Sequence, residues 1–265
     1  MKALEGFSLL IAAFVASLFG QGGGILYTPL QVWNGVDFHT AAPISLFLIL
    51  VISISSTLVF RKAHQVDWGT ALIMEAPTTL GAFIGGLLSK YVSSQILSLI
   101  LSVLLLTAGW FMLHPPKETI RHRVKAHPSR WVWQHKLYDG TYQLDLRLMA
   151  PVMLAVGALT SMVGIGGGAL KVPLMVLLFG IPVPIAIGSS AFMVGLTAAA
   201  GLLGHISAGG FNWIVAFLLA IPVFIGGQIG SRLSIQLNVK QLEKWFGVFV
   251  VLIAFISMLQ TEVPI

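Results

Sequence analysis

The sequence predicts an all-α polytopic membrane protein made of two inverted-topology repeats, and three observations predict it. Only 9% of the 265 residues are charged against 57% strongly apolar, with a mean hydropathy of +0.92. Apolar runs recur along the chain, and one glycine-rich motif occurs twice at a fixed spacing. A soluble domain carries about 25% charged residues, so this chain cannot cover a water-facing surface. That excludes an ordinary soluble enzyme, a disordered protein and a secreted disulfide scaffold. With no cysteine, thiolate zinc and iron–sulfur sites are excluded too.

Taken in order, the charge-poor apolar runs are 7–19, 24–33, 41–60, 70–88 and 96–113, then 148–163, 168–179, 185–206, 214–229 and 245–259. A spanning helix needs about 20 apolar residues. The third and fourth runs of each series, and the fifth of the first, reach that length alone or with modest extension. The first two runs of each series are too short and flank a glycine cluster. Each such pair is a re-entrant hairpin, two short helices or one broken helix. The total is about 8–10 helical membrane segments, three spanning helices plus one glycine-rich segment per repeat. Met1-Lys2 precedes an apolar run, but Gln21-Gly22-Gly23-Gly24 is no signal-peptidase site and further spans follow.

Between the two series lies a polar stretch, giving a division into 1–113, 114–147 and 148–265. The middle part holds seven of the fifteen basic residues, so it supplies most of the +6 net charge. Pro115-Pro116 stops the preceding helix. From Trp131 to Asp145 apolar and polar residues alternate around Asp139-Gly140, a favoured hairpin turn. The segment reads as a small β-hairpin or as a polybasic linker.

The halves repeat one another. Gly20-Gln21-Gly22-Gly23-Gly24 with Pro29-Leu30 recurs as Gly164-Ile165-Gly166-Gly167-Gly168 with Pro173-Leu174, an offset of 144. After one inserted residue, at offset 145, Ser45 matches Ser190, Trp68 matches Trp213, Pro77 matches Pro222, and Gly81 and Gly85 match Gly226 and Gly230. Charge orients the repeat, since cytoplasmic loops collect Lys and Arg. Arg61 and Lys62 have no basic counterpart near His205–Asn212, whereas Lys90 answers to a loop with Arg232, Lys240 and Lys244. With inverted repeats, only Lys2 and Lys90 fall outside and the central loop is cytoplasmic. Trp33, Trp68, Trp110, Trp213 and Trp245 fall near span ends, as an aromatic belt requires. The basic balance therefore reports topology, and no nucleic-acid partner is expected.

Short, glycine-interrupted segments at matching places in inverted halves point to a midplane binding site. Glycine lets backbone approach a ligand, and N–H groups at the head of a following helix attract anions. The competing role for Gly22, Gly23, Gly24, Gly166, Gly167 and Gly168 is close helix packing. Lys171 lies inside an apolar run, where an ammonium is costly and usually faces a cavity, or else snorkels to the interface. It would complement an anionic substrate. Gln21 offers an amide donor. Ser45, Ser189 and Ser190 offer hydroxyls, or cap the helices they begin. Gln228 lines the cavity or bonds across helices. Glu75, a carboxylate about 10 Å along its helix from Trp68, suits proton coupling or a structural hydrogen bond. His205 is expected at the interface, and His39 and His64 in loops, without metal-ligand spacing. Nucleophile elbow, H-E-x-x-H, Walker and dinucleotide signatures are all missing, so neither an enzyme nor a cofactor is expected.

The motif Gly20–Pro29 and its repeat Gly164–Pro173, with Gly188-Ser189-Ser190 and Trp213, resembles the sulfite exporter TauE/SafE family over both halves. The resemblance implies a bacterial inner-membrane permease for sulfite, sulfoacetate or other organosulfonates. The expectation is thus a secondary transporter of a small anion, working by alternating access. Its rivals are an anion channel, a carrier of another carboxylate or inorganic anion, and a transport-free scaffold. The bilayer and the small anion are the expected partners, and a two-fold homodimer fits ordinary assembly rules.

Overall fold

In the computed structural model, residues 2–19, 23–113, 131–137, 140–208, 211–237 and 248 are described. The first half contributes α1 (Lys2–Leu18), α2 (Gly24–Trp33), α3 (Phe38–Lys62), α4 (Trp68–Leu88) and α5 (Ser94–Leu113). A hairpin, β1 (Val132–Leu137) and β2 (Gly140–Asp145), leads into α6 (Leu146–Met162). Then follow α7 (Gly168–Leu177), α8 (Val183–Ala208) and α9 (Trp213–Ser234). Among the described residues, α3, α4, α8 and α9 are long and apolar enough to cross a membrane. The expected last run, 245–259, lies outside the described residues, except for helical Val248.

Local chemistry starts each element. Asp37, Asp67 and Asp145 cap α3, α4 and α6 by accepting from His39, Gly69 and Arg147 N–H groups at 3.0, 3.2 and 3.0 Å, and Asn212 caps α9. The short helices differ. α2 and α7 begin after Gly23 (φ 77°) and Gly167 (φ 83°), left-handed residues with no side-chain cap. Of the three readings of the glycine-rich segments, the chain takes a 17-residue helix, a glycine turn and a 10-residue helix in each half. In the hairpin Leu137 pairs with Gly140. Gly140 therefore belongs to the second strand and not to the Asp139-Gly140 turn expected from sequence.

The packing repeats contact for contact. α4 lies on α6 and α8, and α9 lies on α1 and α3. A side chain on Gly81 would strike the Leu154 carbonyl, and one on Gly85 the Ala158 carbonyl. In the other half Gly226 meets the Leu10 carbonyl and Gly230 the Phe14 carbonyl. Leu10 and Phe14 are the repeat mates of Leu154 and Ala158. These glycines bring helix backbones into direct contact, as small residues do in membranes. Trp68 stands edge-on to Phe192 at 4.9 Å, and its mate Trp213 edge-on to Phe47, the mate of Phe192, at 6.3 Å.

α3 and α8 cross at the centre. Leu46 lies against Gly201, Ser53 against Gly195 and Gln65 against Gly188, so the two helices run antiparallel. Large apolar side chains on the outer faces, such as Leu72, Leu80, Ile214 and Ile221, are exposed where lipid would be.

Candidate substrate site at the glycine turns

α7 starts at the glycine turn and carries Lys171 one turn in. The lysine stem folds back along Gly167, whose added Cβ would lie 3.3 Å from Lys171 Cε. This directs the ammonium toward α4 and α8. There Nζ donates to Glu75 Oε2 at 2.6 Å and to Thr197 Oγ1. Thr197 in turn bonds Glu75 Oε1, and Thr79 Oγ1 donates to the same oxygen at 3.2 Å. The ion-paired side chains are 0% and 2% exposed. Glu75 sits a third of the way along α4, and Thr197 sits half way along α8, about 21 Å from its start. The lysine and the glutamate read inside the apolar runs thus meet well away from the ends of α4 and α8. Removing one partner of such a buried pair strands the other charge.

The family model of the sulfite exporter TauE/SafE matches residues 6–256. The chain belongs to this family. It is 30% identical over 254 residues to the "Probable membrane transporter protein YunE" of Bacillus subtilis (strain 168), covering 92% of each chain. A "Probable membrane transporter protein" of Xylella fastidiosa (strain Temecula1) is 28% identical over 92% of this chain and 90% of its own length. "Probable membrane transporter protein YfcA" of Escherichia coli (strain K12) is 26% identical over 89% and 82%. No solved structure matches. With its apolar helices, this TauE/SafE chain is a multi-pass membrane transporter.

The remaining predicted site residues of this TauE/SafE chain separate into two groups. Gly166, Gly167 and Gly168 form the buried turn before Lys171, with Gly164, Gly166 and Gly167 all at positive φ. Gly23 and Gly24 form its mate before Tyr27, while Gln21 and Gly22 lie outside the described residues. Tyr27 repeats the Lys171 arrangement, its ring filling the place of a Gly23 side chain. Its hydroxyl is fully buried and has no hydrogen-bond partner among the described residues.

The other residues hold the scaffold. Ser45 accepts from Gln31 Nε2 at 2.8 Å, and Ser189 accepts from the Asp67 N–H at 2.9 Å. Neither serine caps a helix, because Asp37 starts α3 two turns before Ser45 and α8 begins at Val183, six residues before Ser189. Ser190 is buried and its hydroxyl has no partner among the described residues: its mate Ser45 has Gln31, and the corresponding position here is Met175. Gln228 Nε2 donates to the Ser55 carbonyl at 2.8 Å, which is the cross-helix role. His205 lies in the last turn of α8, at the end of its span. It is buried, with Nδ1 3.2 Å from Ser89 Oγ and Nε2 3.0 Å from the Ser161 carbonyl. His39 lies in the first turn of α3, not in a loop, while His64 is in the α3–α4 loop with φ 55°.

Sequence reasoning missed Thr197. The signal was present in two forms. Ser190 and Thr197 lie seven residues apart, on one face of an apolar helix. A lone lysine and a lone glutamate inside spans also usually seek each other.

Proposed function

We propose that this chain is a secondary carrier exporting small sulfur-containing anions, such as sulfite, sulfoacetate or related organosulfonates, by alternating access. What carries the reading is the wholly buried Lys171, set one turn inside a helix that begins on an uncapped, left-handed glycine turn. Such a helix head attracts anions through its free N–H groups and dipole, and Lys171 adds the charge. The Gly23–Gly24 turn with Tyr27 is the equivalent element of the first half. The sulfur-containing substrate is suggested by the family name alone.

The antiparallel run of the repeat mates α3 and α8 supports an inverted repeat, with 1–113 and 148–265 as its units. Inverted halves meeting at short, glycine-broken segments favour rocking of one part against the other around a fixed site. Charge distribution favours a cytoplasmic central loop at 114–147, and the family resemblance favours a bacterial inner membrane. No catalytic step and no cofactor enter this reading, and the chain works alone or as a homodimer.

Purified protein in liposomes should exchange a labelled anion such as sulfite or methanesulfonate against the same anion inside. Lys171→Ala and Gly167→Leu should each abolish that exchange. Full exchange in both variants would overturn the site. Passive flux without counterflow would favour a channel.

A further inference from the structure

Lys171 and Glu75 form a pair with no net charge, and an incoming anion meets an ammonium already engaged. Lys171 nevertheless has a spare donor among the described residues: an ammonium carries three hydrogens, and there Glu75 and Thr197 accept from it. A second anion beside an ionised Glu75 would put two negative charges against one ammonium in a site closed to water. We propose that the carrier moves a monovalent anion together with one proton. Glu75 takes the proton as Lys171 turns to the anion, and both leave on the other side. This rests on the carrier reading above and adds its coupling ion and the charge of its substrate; coupled this way, export runs on an outward gradient of the anion, since a proton gradient directed into the cell draws the anion in.

Charge and hydrogen bonds both balance. The empty site holds Lys171 ammonium and Glu75 carboxylate. The loaded site holds Lys171 ammonium, the anion and a neutral Glu75 carboxylic acid. Neither carries net charge, which a low-dielectric site requires. A divalent anion would leave one negative charge uncompensated, so of the anions named above the pairing admits hydrogensulfite and monosulfonates and rejects sulfoacetate and fully deprotonated sulfite, which are dianions.

Thr197 is suited to both states. Its single hydroxyl hydrogen has two acceptors in reach, Glu75 Oε1 and the Met193 carbonyl at 3.1 Å. When Glu75 is protonated, that hydrogen turns to Met193 and no donor is stranded.

Among the described residues, no other titratable group bonds Glu75. α6 brings Asp145 and Arg147 only at its head, and α8 brings His205, engaged with Ser89 and Ser161. α7 brings Lys171 alone, and α5, packed on α7, brings none.

Two measurements with methanesulfonate test the pairing. In detergent, binding should weaken about tenfold per pH unit as pH rises through the range where the empty site holds ionised Glu75. Glu75→Gln should remove that slope. In liposomes, one unit of pH gradient should drive about tenfold accumulation, while a membrane potential alone should drive none. Sulfate, a divalent anion, should not compete. Counterflow with accumulation driven by potential rather than pH would overturn the proton pairing alone. So would an unchanged pH slope in Glu75→Gln, and equal competition by sulfate would overturn the charge argument. Absence of counterflow and of binding would overturn the carrier reading itself. The wild-type measurements decide the matter even where Glu75→Gln fails to fold.

Discussion

Lys171 and Tyr27 occupy equivalent places in the two halves, and their surroundings have diverged. Each stands four residues after a left-handed glycine, and each folds back over it. Around Lys171 stand Glu75 and Thr197; the repeat mates of those residues are Ala220 and Ile52. The glycine contacts between helices are kept on both sides, because a side chain there would strike backbone. The scaffold is therefore two-fold while the polar chemistry is one-sided. A backbone contact tolerates little change, whereas a buried polar group only needs to be satisfied or replaced together with its partners.

The largest expected effect breaks the charged side. Lys171→Met leaves Glu75 buried without its cation and should cost about 3–5 kcal/mol, read as a lowered Tm in detergent, with loss of anion exchange. Adding Glu75→Leu should restore most of the stability and none of the exchange. A double variant as unstable as the single one would show that the pair does not act as a unit.

Next come the shared contacts. Gly85→Val and Gly230→Val should each cost about 1–3 kcal/mol by overpacking, with similar losses in folded yield. A large inequality between them would break the equivalence of the two crossings.

A smaller effect of opposite sign is expected on the neutral side. Tyr27→Phe removes an unpartnered buried hydroxyl and should raise stability by about 1 kcal/mol; a loss would mean that the hydroxyl has a partner in the folded membrane protein. Smallest of all, Met175→Gln would give Ser190 the partner that Ser45 finds in Gln31. A gain of about 0.5 kcal/mol in thermal unfolding is expected, and a loss would break the symmetry at that level.

Much of this architecture is legible in the residues. The apolar runs on described residues became helices with ends within about five residues of those expected, since lipid leaves backbone groups no partners but one another. The Gly81–Gly226 and Gly85–Gly230 matches became real crossings. What the glycine-rich segments do was not legible, because hydropathy has the same look in a short helix and in half of a broken one.

The site shows a different limit. Lys171 and Glu75 stand out singly, but they are 96 residues apart in different halves. Only the packing of α7 onto α8, and of α8 onto α4, brings them together. The serines misled for a simpler reason: Asp37 starts α3 ahead of Ser45, and α8 begins at Val183, ahead of Ser189 and Ser190, so they sit inside helices and not at their heads.

The hairpin joins α6 without a linker. Asp145 ends β2 and caps α6, the Leu146 N–H donates to the Trp131 carbonyl at 2.9 Å, and the Arg147 guanidinium lies over the Trp131 ring. Mechanically this is a lever arm clamped at its fulcrum. Six residues of strand reach about 20 Å, so a tilt of α6 about its head moves the far end of the strands nearly as far as the other end of this 17-residue helix, about 25 Å away. The pair of strands is thus a built-in pointer on which a spectroscopic label would report motion of the second half directly.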